Sequence, residues 1–475
     1  MSDFHLTFRL FSFHGLITVF SLGVFLLASR TLRQRRHPSA AIAWFLSLAL
    51  MPYVALPIYL LVGNRKLTRP QPAHRSLPIP LELPDADQHV ARLRTLARSL
   101  TLPEPSSFDF FELHRDGSHA LASLLSVIEN AKVSLDICTF LLGNDVLGRA
   151  VVAQLAASAK RGVAVRFMLD GVGQYLGGHP DLQQLKMAGV TVSLFSPPLR
   201  FLAPGGVNLR NHRKIAIADG SRLWIGGRNL AAEYFVGDSG GNHSSRAKSK
   251  AWIDLSFELR GLIARQVQDQ FHHDWEFAMS GRTAEMAPPI RVSPGHVAPT
   301  VQLVPSGPDQ SDDTVYSLLI SSLFAAQTRI IAVSPYYVPD PSLQMALTLA
   351  ARRGVVVDLV LPRESNHKMA DIARAVSLRE LAISGARVWL VPQMVHAKAI
   401  VIDDSFALVG TANLDERSLF LNYELMVGFY EPEVIEQFVQ WLLTLRERAE
   451  LYQPQRPSIL REMGEGLVRV LAFQL

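Results

Sequence analysis

The chain has 475 residues, 48% of them hydrophobic, with 47 Lys/Arg against 42 Asp/Glu and a mean hydropathy of +0.16. That length admits several domains or one large duplicated domain, and the hydropathy is high for a purely soluble protein. A single cysteine, Cys138, excludes an intramolecular disulfide and any cysteine-based metal cluster; it reads as filler of a buried strand.

The charge is uneven along the chain. Residues 1–80 carry nine Lys/Arg and one acidic residue, Asp3, a balance of +8; the whole chain is +5, so residues 81–475 stand at −3. Positive charge beside an apolar N-terminus suits contact with anionic lipid headgroups. A nucleic-acid binder should instead have a basic folded body, so nucleic acid is not an expected partner.

Leu10 to Ser29 is a run of 20 residues without Asp, Glu, Lys or Arg, long enough to cross a bilayer core as a helix. Arg30, Arg33, Arg35 and Arg36 follow, and then Pro38 to Asn64 adds 27 uncharged residues closed by Arg65 and Lys66. Residues 1–64 are expected to form a two-helix transmembrane hairpin, with Pro52 and Pro57 kinking its second helix. The alternative for the first stretch is a signal peptide cut near Leu27-Ala-Ser29, but the second span would still anchor the chain. Basic residues flank both sides almost equally, so the positive-inside rule leaves open on which side the rest of the chain lies. Residues 65–105, with Pro70, Pro72, Pro78, Pro80, Pro84, Pro103 and Pro105, read as an extended tether holding one helical patch near Val90–Ser99.

An internal repeat begins after the tether. Val133–Phe140 is a buried-strand pattern echoed by Ile330–Tyr337. A helix closed by Lys160-Arg161-Gly162 leads to the strand-like run Val163–Leu169, and Arg352-Arg353-Gly354 leads to Val355–Leu361 in the same way. Ala188–Val192 is matched by Ser384–Val388, and these echoes lie 192 to 197 residues apart. Strands alternating with glycine-closed helices predict an α/β fold of two pseudo-symmetric halves, residues 106–290 and 298–475, each with a mostly parallel sheet. Ser239–Ser245 is expected to be a glycine-rich loop near their seam.

The strongest signal is a duplicated motif at 206–233 and 390–417. The first copy reads His212-Arg-Lys214, Asp219, Gly226-Gly-Arg-Asn229. The second reads His396-Ala-Lys398, Asp403, Gly410-Thr-Ala-Asn413. All five fixed positions recur at an offset of 184 residues. One His-x-Lys on a strand is ordinarily a solvated edge; two full copies at one spacing are not accidental.

These copies resemble the HKD motif of the phospholipase D superfamily, which implies phosphodiester chemistry. Breaking a phosphodiester needs a nucleophile, a proton donor for the leaving alkoxide and an offset for negative charge. Histidine serves because its free pKa near 6.5 makes both protonation states available. The resemblance implies that His212 attacks phosphorus and His396 is general acid and base. Lys214 and Lys398, with Asn229 and Asn413, would bind the phosphoryl oxygens, and Asp219 and Asp403 would brace the motif. It also implies a carboxylate behind each imidazole, pairing across the seam: Glu424 with His212 and Asp254 with His396. No cofactor and no metal is expected. His272, His273 and Asp274 lie on the amphipathic helix pattern Ala264–Phe277, Tyr336 and Tyr337 read as core or pocket wall, and Arg446-Glu-Arg448 as a solvated helix face.

Arg36–Trp44 and Tyr59–Arg65, with Asn208–Ile215, Pro305–Asp309, Pro335–Pro339 and Gly410–Glu424, narrow the resemblance to bacterial cardiolipin synthases of the phospholipase D type, over nearly the whole chain. What this implies is a phosphatidyltransferase of the bacterial inner membrane, multi-pass, joining two phosphatidylglycerols into cardiolipin and glycerol through a phosphohistidine. Gly227, where the superfamily often has Ser, matches that family. Val391–Val395 departs from its aromatic, glycine-containing run. A synthase using another phosphatidyl donor such as phosphatidylethanolamine, a hydrolytic phospholipase D and a non-enzymatic membrane scaffold are the alternatives.

Overall fold

The computed structural model describes residues 13–27, 38–63, 85–197, 208–235, 252–281 and 299–471; the segment Ser239–Ser245 lies outside them. Two sheets of matching topology form the body. In the first, the strand order is Phe110–Leu113, Ser256–Arg260, Arg222–Gly226, Ile215–Ala218, Ser134–Thr139, Ala164–Asp170, Thr191–Phe195. In the second it is Thr300–Ser306, Glu424–Phe429, Phe406–Gly410, Ala399–Ile402, Arg329–Val333, Val356–Pro362, Arg387–Val391, extended at its ends by Ser106–Ser107 and Glu450–Leu451.

The expected mostly parallel sheets are in fact mixed. Only the last three strands of each seven-strand series run parallel, joined by helical crossovers such as Val146–Lys160 and Pro341–Arg352. The motif strands Ile215–Ala218 and Arg222–Gly226 pair antiparallel, as do Ala399–Ile402 and Phe406–Gly410. Asp219-Gly-Ser221 and Asp403-Asp-Ser405 are turns far too short for the dozen or more residues a parallel crossover needs. Asp219 and Asp403 both adopt left-handed backbone, with φ of 53° and 51°, a conformation that short polar side chains tolerate best after glycine.

The two halves share one core. Phe257 from the first half and Phe429 and Phe438 from the second are fully buried together. The Phe257 and Phe429 rings lie 5.5 Å apart, and Phe111 reaches Phe429 at 5.5 Å and Phe438 at 5.6 Å. At roughly 1.5–3 kcal/mol per buried aromatic or aliphatic side chain, this cluster is a principal force closing the seam.

The helical patch of the tether runs Asp85–Ser99 and is part of the second half. Leu93 and Ala97, with Leu102 beyond the helix, are buried in that half's core against the helix Thr314–Ala325. Arg94 donates to Thr300 Oγ1 at 3.0 Å and lies over the Tyr430 ring. Gln302 Nε2 and Gln266 Nε2 hold the carbonyls of Pro103 and Glu104. Residues 85–104 are therefore packed rather than extended.

Among the described residues no helix is long and apolar enough to cross a membrane. The first apolar run is described as a helix over 13–27, and the second as two helices, Pro38–Leu50 and Pro52–Val62. Pro52 has no N–H to continue the earlier helix, so the chain breaks at Met51 and restarts with proline in the first turn. These helices meet around Phe25, Trp44, Leu48, Ala55 and Tyr59. Their outer faces expose Leu16, Val19, Phe20, Ile42, Leu46, Leu50 and Val54.

Candidate active site

Each motif histidine sits just before a central strand of its own half and is stitched to the other half by main-chain bonds. His212 N donates to Tyr423 O at 2.9 Å, and Tyr423 N to Arg210 O at 2.9 Å. The mirror arrangement has His396 N donating to Ile253 O at 2.7 Å and Ile253 N to Met394 O at 2.9 Å. Both pairs form isolated parallel bridges, Asn211 with Tyr423 and Ile253 with Val395. The segment carrying each carboxylate is thus docked against the opposite histidine.

As a result His212 Nδ1 lies 3.0 Å from Glu424 Oε1, and His396 Nδ1 lies 2.7 Å from Asp254 Oδ2. Both carboxylates are buried. A buried carboxylate on Nδ1 favours the proton on that nitrogen and leaves the lone pair on Nε2. Thr411 Oγ1 donates to the other oxygen of Glu424 at 2.5 Å. The same motif position in the first copy is Gly227, where a Cβ would lie 2.2 Å from Asp254 Oδ1. The glycine is therefore required by the shorter carboxylate, whose Oδ1 is held by Leu255 N at 2.7 Å instead.

The lysines alternate with the histidines along the strand and share their face. Lys214 Nζ donates to His212 O at 2.7 Å. Lys398 Nζ lies 2.8 Å from His396 Nδ1 and also donates to His396 O. Burial depresses all four groups. His212 falls to about 4, desolvation and Lys214 outweighing Glu424, and His396 to about 3, desolvation and then Lys398 outweighing Asp254. Desolvation lowers Lys214 to about 7 and Lys398 to about 8. Lys398 acts on His212 and Lys214 on His396, so charge in one motif is felt in the other.

Asp219 and Asp403 stand apart from this centre, five residues along each strand, roughly 16 Å at about 3.3 Å per residue. The Asp219 carboxylate accepts from the N–H groups of Lys132, Val133 and Ser134; Asp403 accepts from those of Gln327, Thr328 and Arg329. Burial raises both, but these amides prevail and hold each carboxyl below its ordinary value. Both aspartates pin a hairpin turn to the entry of a central strand.

Asn229 and Asn413 are buried beside the motifs, Asn229 bonded to Tyr234 and Asn413 to Asp415. Aromatic rings wall the histidines: Phe140 edges His212 at 5.3 Å, and Tyr234 and Trp252 lie 5.0 and 5.6 Å from His396. Tyr337 is core, bonded to Gln344, while Tyr336 bonds Asn366. Phe140 and Tyr234 escaped the sequence reading because nothing local places either against a histidine: Phe140 meets His212 through sheet pairing within the first half, and Tyr234 meets His396 across the seam. Thr411 could have been found, since it fills the variable place inside a motif.

His273, Asp274 and Asp309 bring donor atoms within 4.8 Å of one another. Arg213, however, is bonded to both oxygens of Asp274, and a buried guanidinium there opposes a cation. Burial alone would lower His273, but Asp274 and Asp309 raise it above its ordinary value. The cluster is a buried ion network of two carboxylates against Arg213 and His273.

A family model described as "Cardiolipin synthase, PLD-like domain" matches residues 124–275 and 319–446, one segment in each half. The chain belongs to this family. Among relatives in it, cardiolipin synthase A of Pseudomonas aeruginosa is 30% identical over 457 residues, covering 92% of this chain and 91% of that protein. Cardiolipin synthase 1 of Bacillus anthracis is 30% identical over 425 residues, covering 85% and 82%. The fold resembles the crystal structure of phosphatidylserine synthase from Haemophilus influenzae, with a TM-score of 0.59 at 13% identity, over 82% of this chain and 100% of that one.

Proposed function

We propose that this member of the cardiolipin synthase family transfers a phosphatidyl group between two phosphatidylglycerol molecules, releasing glycerol. The observation that carries the reading is the pair of buried histidine–carboxylate contacts formed across the seam. His212, neutral because burial lowers it, attacks phosphorus with Nε2. The bond from phosphorus to the glycerol oxygen breaks, and that oxygen takes a proton from His396, which gains it when the phosphodiester anion binds. A phosphatidyl group now rests on His212. The hydroxyl of a second phosphatidylglycerol enters, His396 removes its proton, and the new phosphodiester forms as His212 departs. Asp254 steadies the imidazolium of His396 through both proton transfers. Lys214 and Lys398, with the amide groups of Asn229 and Asn413, offset charge on the phosphoryl oxygens.

We further propose that residues 1–64 hold the enzyme in the bacterial inner membrane as a hairpin, residues 65–84 linking them to the two catalytic halves. The outward apolar side chains of the described N-terminal helices support this, as does the +8 balance of residues 1–80. The test uses purified full-length protein, mixed micelles of phosphatidylglycerol and a chelator. Cardiolipin and free glycerol in equal amounts are expected. Dominant phosphatidic acid at every lipid density would make the chain a hydrolase, and product formed only with phosphatidylethanolamine would change the donor.

A further inference from the structure

Arg213 and Arg228 are both fully buried, and both belong to the first motif copy. The equivalent residues of the second copy, 184 positions later, are Ala397 and Ala412. Arg213 lies between His212 and Lys214 in the run that enters a central strand, so its side chain points to the face opposite theirs. Placing a guanidinium in a protein core is expensive unless its donors are matched.

Their partners are specific. Arg213 Nε donates to the main-chain oxygen of Glu424 at 3.0 Å. Its terminal nitrogens bind Asp274 of the first half and Ser306 O of the second, and approach Asp309 Oδ2 at 4.0 Å. The Tyr423 ring lies against it at 5.5 Å. Arg228 repeats the device on the other carboxylate: one terminal nitrogen donates to the main-chain oxygen of Asp254, the other to Tyr234 O, and Nε to Ser256 Oγ at 3.3 Å. Each carboxylate that touches a histidine therefore has its own carbonyl held by one buried arginine. Glu424 is held from across the seam and Asp254 from within the first half.

We propose that Arg213 and Arg228 are positioning residues, each fixing the main chain of one histidine-bound carboxylate, so that the first motif copy sets the geometry of both histidines. The inference rests on the catalytic reading of Glu424 and Asp254. It also accounts for the alanines of the second copy, because each carbonyl needs only one guanidinium. A carbonyl fixed at the Cα fixes where the side chain starts, and a shift of about 1 Å there is enough to cost up to 10²-fold in rate. A lysine keeps the charge but not the planar fork that binds several acceptors at once.

Double-mutant cycles in full-length protein test this, with phosphatidylglycerol turnover in mixed micelles as the readout and thermal unfolding as the fold check. Glu424→Gln and Asp254→Asn should each slow turnover at least 10-fold. Arg213→Lys should slow the wild type about 10-fold or more yet slow the Glu424→Gln protein less than about 3-fold, while keeping its full effect on Asp254→Asn. Arg228→Lys should show the reverse pattern. Full effects of both lysine variants in both backgrounds would reduce the arginines to structural fasteners and overturn the proposal. If Glu424→Gln and Asp254→Asn are themselves without effect, the catalytic reading fails instead. Should Arg213→Lys not fold, Asp274→Asn, which frees the guanidinium from its other end, must reproduce the same selective non-additivity or the proposal falls.

Discussion

Leu93→Ala separates a packed segment from a free tether. Leu93 is 1% exposed in the core of the second half, though its helix Asp85–Ser99 lies in a proline-flanked stretch. Deleting a fully buried leucine to alanine costs about 2–5 kcal/mol, transfer and cavity terms together. For a unit of about 150–250 residues, each kcal/mol moves the midpoint by roughly 2–4 °C, so a fall of about 5–15 °C is expected. Differential scanning fluorimetry of the detergent-solubilised protein measures it, with Arg92→Ala on the outer face of the same helix as control. Turnover well below the transition should be unchanged, because Leu93 touches no group of the site. Truncation at Pro105 should be worse still, removing Leu93, Ala97 and Leu102 together, whereas truncation before Asp85 should leave the body folded. A Leu93→Ala midpoint within 1 °C of the Arg92→Ala control would refute the packing.

Three further outcomes follow from the geometry. Asp219→Ala and Asp403→Ala should each destabilise by about 2 kcal/mol, through lost amide bonds and a left-handed backbone alanine resists, while full-length protein kept cold retains its turnover rate. Chemical denaturation and a single-temperature assay check both halves of that statement. Because both carboxyls are held below their ordinary value, their stabilisation is complete above about pH 4 and is lost as pH falls through the lower folded values; Asp403→Asn should flatten that acid dependence in unfolding curves. Finally, His212 at about 4 and His396 at about 3 leave the free site neutral at both imidazoles, with Lys214 at about 7 half protonated. A bound phosphodiester anion favours the charged forms, so binding should take up protons. Calorimetry of a non-reactive phosphodiester in two buffers of different ionisation enthalpy detects this, and identical enthalpies would exclude it.

The two motif copies were legible because the chain carries one set of residue types at one spacing twice. Glu424 and Asp254 were reachable only through the family resemblance, since nothing local places a residue 212 positions away against His212. Sheet direction was missed although the turns Asp219–Ser221 and Asp403–Ser405 announce it by their length. The helical patch near Val90–Ser99 was legible from the helical spacing of Val90, Leu93, Ala97 and Leu100, and the structure has it as Asp85–Ser99; the prolines around it hid its packing into the second half. Arg213 and Arg228 look in sequence like variable letters between fixed ones. Only the fold shows that each meets the carbonyl behind a carboxylate, Arg213 across the seam and Arg228 within the first half.

The most direct measurement is to quench turnover of radiolabelled phosphatidylglycerol with acid-free denaturant and map the label by peptide mass spectrometry. His396→Asn, lacking the base for the second transfer, should accumulate a phosphatidyl group on the peptide containing His212, and His212→Asn should accumulate none. Label on His396 in the His212→Asn protein would reverse the two roles, and no label in either variant or in the wild type quenched during turnover would contradict the covalent mechanism.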